Sequence, residues 1–383
     1  MTLAEILSNE SLRQCEFPVA ADKVFWSHAG VTSLPRCVVD AMKEYLDACT
    51  HADQENALPT GSVLETRKLA AQLLGCTPQE IALIGPTSVG LNLVCNGLDW
   101  QRGDNVVFYQ DDYPANVYPW QALEAKGVEL RRIQAARLGE ITVDQITPLL
   151  DKRTRLVALA SVNFLSGYRI DVDAIGKHLR ERGVLFSLDS IQSLGALPTK
   201  MTHVDFSAAD SHKWLLGPQT SGILYVRREV QDRLRPTLLG ADNVSSPNFI
   251  AQDTIRFPTH AGRYEPSALN FAGILGLRAA LKLLLEIGVE NIEARLLSFG
   301  DTVIAAMEKK GFQFIGTREQ KQRSGILTFT KPGANLAELH ARLRQQNIIV
   351  SLRAMRDGTP LLRLSPHFYN TDSELDRVIA EIQ

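Results

Sequence analysis

From about residue 80 the chain alternates two kinds of pattern. Short apolar runs, NVVFYQ (105–110), LVALASVN (156–163), VLFSLDS (184–190) and VDFSAAD (204–210), are rich in β-branched and aromatic residues and show no inside–outside alternation. Helically spaced stretches such as WQALEAKG (120–127) and VDAIGKHLRERG (172–183) lie between them. Strands that are apolar on both faces must be covered on both faces, so the pattern predicts an α/β fold with a doubly wound, mostly parallel sheet flanked by helices. GILYVR (222–227) follows VDFSAAD too closely for a helical crossover and is expected to pair antiparallel. On a sheet of this kind ligands sit at the carboxyl ends of the strands.

Between about 228 and 275 the periodicity fades into a loop-rich stretch with several prolines. A second pattern then begins: a long helix in FAGILGLRAALKLLLEIG (271–288), another around 291–310, strands ILTFT (326–330) and NIIVSLR (347–353), and the segment LLRLSPHFYN (361–370). The closing TDSELDRVIAEIQ starts with a capping residue and first-turn acids, as a helix should. These features predict an N-terminal segment 1–20, a large domain 21–270 and a smaller α+β domain 271–383. No repeat, low-complexity tract or Pro/Gly/Ser linker separates them.

Composition narrows the classes. The 383 residues, 45% hydrophobic and 22% charged, suit a soluble globular protein with a substantial core. A net charge of −2 without a basic block leaves no footprint for nucleic acid or an anionic membrane. The longest apolar runs are too short to span a bilayer, and MTLAEILSNESLRQCEF lacks the layout of a secretory signal, so a cytoplasmic location is expected. The five cysteines all precede residue 96 and form no CxxC or metal-ligand spacing, so no metal is expected and the thiols are expected to be reduced.

Three motifs bear chemistry. ADSHKWLLGPQTSGILYV (209–226) sets Lys213 among apolar residues. Such a lysine is either a stem lying over a hydrophobic edge or a buried amine with a lowered pKa that serves as a nucleophile. In LFSLDSIQS, Asp189 ends an apolar strand, where it caps the next segment or points into the ligand crevice, and Gln192 lies three residues on. In GPTSVGLNLVCNGL (85–98), Thr87 and Ser88 open a helix whose free N–H groups form an anion site or are simply capped. No GxxxxGK[ST] motif or well-placed GxGxxG is present. Pyridoxal 5′-phosphate needs all three parts together: an anchored phosphate, a carboxylate at its pyridine nitrogen and a lysine for its aldehyde.

With these residues the chain, from about residue 24 to its C-terminus, resembles the class V aminotransferase family of fold-type I pyridoxal-phosphate enzymes. That family includes cysteine desulfurases, selenocysteine lyases, kynureninase and isopenicillin N epimerase. The resemblance implies that Lys213 forms the Schiff base, Asp189 pairs with the pyridine nitrogen and Gln192 contacts the phenolic oxygen. It assigns Thr87, Ser88 and His212 to the phosphate. Tyr113, in DDYPANVYPWQ (111–121), would stack on the cofactor ring. Asn163, in ASVNFLSGYRIDV (160–172), would lie near the substrate carboxylate and cofactor oxygen. Arg363, in LLRLSPHFYNT, would grip an α-carboxylate with its planar fork, while Arg353 and Arg356 are solvated or read a distal acidic group.

Two departures stand out. The loop SLRAMRDGTPLLR lacks the nucleophilic cysteine that desulfurases of the family carry there. In GRYEPSALN (262–270) the position expected to lend a threonine hydroxyl to the partner subunit's phosphate is Ala268, with Ser267 beside it. The reading is therefore a homodimeric enzyme acting on an α-amino acid through an external aldimine, by lyase, epimerase or aminotransferase chemistry. SHAG (27–30) and SPHFYNT (365–371) are most like epimerase- and lyase-type members. The alternatives are a desulfurase or selenocysteine lyase using another thiol, and a non-catalytic member that binds the cofactor.

Overall fold

The computed structural model describes residues 1–382. Seven strands form the central sheet: β1 (Ile81–Ile84), β2 (Asn105–Tyr109), β3 (Glu129–Ile133), β4 (Thr154–Ala160), β5 (Leu185–Asp189), β6 (Phe206–Asp210) and β7 (Gly222–Val226). Their spatial order is β1-β7-β6-β5-β4-β2-β3, and β7 alone runs against the others. The antiparallel partner expected at 222–227 is therefore present, placed between β6 and β1.

Consecutive residues of each strand enter different cores, which explains the missing alternation. Val106 and Phe108 of β2 face one layer and Val107 and Tyr109 the other, and all four are buried. Helices α1 (Arg36–Ala48), α2 (Ser62–Leu74), α3 (Thr87–Gly97) and α4 (Val172–Arg180) help supply those layers. The expected helix at 120–127 is one turn, Tyr118–Gln121, that tightens into a 3-10 segment, Ala122–Lys126. Pro119 and the left-handed Gly127 confine it.

Helix α5 (Phe271–Ile287) packs on α1 and α2, and its buried leucines join the core of the large sheet. The division expected at residue 270 thus falls inside a packed unit. The change of core comes within α6 (Val289–Lys309), where Ile292 and Leu296 belong to the large core and Phe299, Val303 and Met307 to the small one. Amphipathic spacing reveals an apolar stripe but not which layer covers it.

The small unit has strands β8 (Gln313–Phe314), β9 (Leu327–Thr330), β10 (Ser351–Ala354) and β11 (Pro360–Leu364), ordered β10-β11-β9-β8. Helices α7 (Leu336–Gln345) and α8 (Asp372–Glu381) flank it. Thr371 caps α8 reciprocally with Glu374, as the sequence indicates; Gln383, the last residue of the expected helix, lies outside the described residues. Val24–Phe25 pairs in parallel with Ile348–Ile349, and Trp26 enters the small core, so residues 24–30 bind the two units together.

Gly90 shows how tightly α3 lies on the sheet. A Cβ there would stand 2.7 Å from Ala208 Cβ and 2.8 Å from Ile84 Cδ1. Gly90→Ala is expected to push α3 away from β6 and to cost about 1–3 kcal/mol by overpacking, less the small gain in helix propensity. A lower midpoint of urea unfolding checks this; an unchanged midpoint would contradict it.

Candidate active site

The carboxyl ends of the strands open on one cavity of about 1240 Å³, closed on the far side by residues 27–33 and by β10 and β11. Thr87, Ser88, Tyr113, Asp189, Gln192, His212, Lys213 and Arg363 all line it. The expected site residues, Asn163 excepted, are thus brought together from sequence positions as far apart as 87 and 363.

Lys213 sits in the loop between β6 and β7, which is organised by one carboxylate. Asp210 Oδ1 accepts the N–H of Ser211 (2.8 Å) and of Ser221 (3.1 Å). Its Oδ2 accepts the N–H of Thr220 (3.1 Å) and pairs with His212 Nδ1 (2.7 Å). Leu216 and Thr220 are left-handed, at φ 57° and 61°, a conformation side-chain-bearing residues avoid and a β-branched one most of all. Trp214, Leu215 and Leu216 fill the core, which aims the lysine into the cavity.

The Lys213 side chain is buried, and its amine lies 5.3 Å over the Tyr113 ring. It is therefore the buried amine and not the solvated stem. Burial lowers its pKa to about 8, with Asp189 opposing the shift and Arg363 and Arg353 adding to it. Asp189 ends β5 with Oδ1 accepting the N–H of Ile191 (3.0 Å), and burial raises its carboxyl to about 6. Two strands along, past the end of β2, Asp112 accepts from the N–H groups of Tyr113 (2.9 Å) and Ala160 (3.0 Å) and from Asn116 (3.0 Å). Burial and the neighbouring Asp189 push it up to about 7.

The N-terminus of α3 forms the anionic-ligand end of the cavity. Pro86 precedes Thr87 and offers no side-chain cap, so first-turn N–H groups remain at the wall beside Ser88 and His212. The Thr87 hydroxyl accepts the N–H of Asp210 (2.8 Å), tying this helix end to the lysine loop. Tyr113 is 45% exposed, and its ring edge meets Phe164 at 5.3 Å and 79°.

Arg363 is only 1% exposed. Its Nη1 donates to the Phe164 carbonyl (2.6 Å), while Nε and Nη2 are buried without any partner among the described residues. Burial lowers its pKa to about 9, helped by Arg353. Arg356 is held by Asp111 and the Gln110 carbonyl, whereas Arg353 lies at the cavity wall without a carboxylate partner among the described residues.

Asn163 does not reach this wall. Its Oδ1 accepts the N–H of Leu165 (3.1 Å) and Ser166 (3.0 Å), and its Nδ2 donates to the Asp111 carbonyl (3.2 Å). A short amide after a strand end satisfies its own turn first. Ser267 and Ala268 line a neighbouring pocket with Gly85 and Thr220. None of the five thiols lines the large cavity; burial raises Cys37 to about 11 and Cys76 and Cys95 to about 12. Among the described residues no cluster of His, Cys, Asp or Glu has the makings of a metal site.

Asp210 and Asp112 were missed in the sequence. Asp210 ends the run VDFSAAD just as Asp189 ends VLFSLD, and that parallel is the signal that marks it.

Residues 24–378 match a family model described as Aminotransferase class-V. A probable cysteine desulfurase of Methanothermobacter thermautotrophicus is 27% identical over 393 residues, covering 96% of this chain and 96% of the relative. The apo cysteine desulfurase of Thermococcus onnurineus NA1 superposes with a TM-score of 0.88 at 26% identity, over 97% of this chain and 96% of that one. The cystine C-S lyase C-DES, solved with its reaction product cysteine persulfide, matches in fold with a TM-score of 0.86 at 22% identity, over 96% of this chain and 98% of that one.

A buried amine that titrates near 8 folded and near 10.5 unfolded destabilises the empty protein below pH 8. As pH rises from 8 to 10.5 the unfolded state alone binds the proton, so this penalty fades. Lys213→Met is therefore expected to stabilise the cofactor-free protein by about 2–3 kcal/mol at pH 7, with the advantage shrinking toward zero near pH 10. Denaturation of both forms across that range checks the sign; an advantage that grows with pH would refute it.

Proposed function

The chain belongs to the class-V aminotransferase family and is a pyridoxal-phosphate enzyme acting on an α-amino acid, and we propose that within the family it is a lyase that releases its leaving group without an enzyme thiol. The cofactor supplies an aldehyde for a lysine and a ring that withdraws electrons from the substrate's α-carbon. The residues present fit that group. Lys213, with its pKa of about 8, would hold the aldehyde, and its amine would move the proton at Cα. Asp189, buried at the strand end, would keep the pyridine nitrogen protonated. Thr87, Ser88 and His212 would hold the phosphate at the N-terminus of α3, with Asp210 orienting the imidazole through Nδ1. Tyr113 would cover the ring, and Gln192 would meet the phenolic oxygen.

The orphaned guanidinium of Arg363 carries the substrate assignment. A buried cation with two unpaired donors is costly unless an anion completes it, and an α-carboxylate matches its fork. Asn163 serves this grip indirectly, by fixing the turn that presents the Phe164 carbonyl to Arg363.

The absence of a thiol supports lyase chemistry over persulfide transfer. The turn between β10 and β11 spans only Met355–Thr359 and closes on itself, Met355 N–H to the Thr359 carbonyl at 2.9 Å. It has no cysteine, and the side chain it sends toward the large unit is that of Arg356. The relatives named cysteine desulfurases support a sulfur-bearing substrate. All five cysteines are free, as in the cytoplasm. A homodimer is favoured by the exposed Leu238, Leu239, Phe249 and Ile250 in the loop-rich stretch after β7, where Leu238 lines one pocket with Ser267.

With L-cysteine or L-cystine the expected products are pyruvate and ammonia with sulfide or persulfide, unchanged in a protein whose five cysteines are all serine. Alanine as the product, dependent on one of those cysteines, would overturn the proposal. Arg363→Met is expected to lower kcat/KM for L-amino acids by about 10²–10³-fold, the worth of two charge-assisted hydrogen bonds, and to raise the melting temperature of the empty protein. Loss of activity without that stabilisation would mean that Arg363 is a structural residue.

A further inference from the structure

The motifs SHAG and SPHFYNT enter the fold as one buried polar network behind the cavity. His367 Nδ1 accepts the N–H of Phe368 (2.9 Å), so its proton is on Nε2, which donates to the Trp214 carbonyl (3.0 Å). His28 Nδ1 donates to the Ser365 carbonyl (2.9 Å), which leaves Nε2 to accept the Tyr369 hydroxyl (2.9 Å). Both imidazoles are wholly buried and held neutral by that burial, His367 at about 4. Trp214 follows Lys213 directly, so its carbonyl is pinned next to the reactive residue.

The indole of Trp214 makes the second connection. Its Nε1–H donates to Gln192 Oε1 (2.8 Å), and Gln192 Nε2 donates to the Ala29 carbonyl (3.1 Å). An indole only donates and a carbonyl only accepts, so the Gln192 amide has a single allowed orientation. In that orientation its oxygen is consumed by Trp214 and its remaining N–H is left for the cavity that Gln192 lines.

We propose that Trp214, braced by His367, is a positioning residue: it locks the Gln192 amide so that an N–H, never the carbonyl, meets the cofactor's phenolic oxygen. This rests on the pyridoxal-phosphate reading of the site. Without the lock the amide can turn and present its oxygen to a phenolate, replacing attraction with repulsion. An N–H donor favours the phenolate and so eases loss of the proton from the lysine–cofactor linkage; its absence raises the pH at which the visible chromophore titrates. The groups facing that linkage, Asp189, Asp210, His212, Tyr113, Arg353 and Arg363, are unchanged in the variants below.

Spectral pH titration of the holoenzyme tests the proposal. A wild type without a visible band refutes the cofactor reading itself. Given a band, Trp214→Phe and Gln192→Met are each expected to raise the titration midpoint by about one unit, the value of one hydrogen bond lost to one protonation state. The double variant is expected to shift no further than either single one, because both remove the same contact. A wild-type midpoint in Trp214→Phe, or additive shifts in the double variant, overturns the proposal. Where Trp214→Phe does not fold, His367 provides the test: His367→Gln, which keeps a donor for the Trp214 carbonyl, holds the wild-type midpoint, and His367→Leu raises it. Equal midpoints in those two variants overturn the proposal.

Discussion

A single carboxylate closes the loop on which the cavity depends. Asp210, at the end of β6, takes two N–H groups on one oxygen and a third N–H with His212 on the other. An antiparallel return from β6 to β7 leaves eleven residues to form a loop at the end of the sheet where ligands collect. That loop must put three large apolar side chains into the core and one amine into the cavity. Two residues adopt left-handed backbone to do so, and Asp210 holds one of them directly. The same carboxylate orients His212, and its own N–H reaches Thr87, so lysine and helix terminus are placed by one group.

The electrostatics of the cavity are unfinished in the empty protein. Lys23, Lys213, Arg344, Arg353 and Arg363 line it, and Asp189 is the one carboxylate in its lining among the described residues. Lys213 and Arg363 are buried, and burial lowers both pKa values. A protein selected for stability alone would fill these positions with apolar side chains. The sheet tolerates the imbalance because it is covered on both faces and the charges lie at its rim, where the strands end.

Much of this was legible in the sequence because the chemistry is local in the chain even though the site is not. Apolar strands without alternation revealed the buried parallel sheet, while Asp189, Lys213 and the 85–98 helix start each left two readings open on their own flanks and pointed to one site only taken together. The domain division was not, since α5 is apolar around most of its circumference, which marks a buried helix without saying which core buries it, and only the fold shows that α1 and α2 cover it. Asn163 looked like a ligand by position, but its amide is satisfied by the turn it begins. Asp210 was overlooked beside the conspicuous His-Lys pair. The orphan donors of Arg363 could not be read at all, because an unmet hydrogen bond is a property of everything around a group.

The missing thiol is a matter of what one turn carries. On the proposed reading, Arg363 would grip the substrate at its carboxylate, which would leave the substrate's side chain toward the wall that includes Ser27, Ser351 and Arg353. Ser27 and Ser351 hydroxyls meet at 2.7 Å, tying the 24–30 segment to β10. The Met355–Thr359 turn that follows that strand carries no cysteine, and the side chain it sends across to the large unit is Arg356, held by Asp111 and the Gln110 carbonyl. On that reading a leaving sulfur would meet solvent and the Arg353 guanidinium instead of a protein nucleophile. Arg353 would attract a departing anion without bonding to it covalently, so that turnover would need no second substrate to regenerate the enzyme. A cysteine in the same turn, on the same strands and the same buried lysine, would face that leaving group with an acceptor, so the two chemistries would differ at the mouth of the cavity and share the machinery at the strand ends.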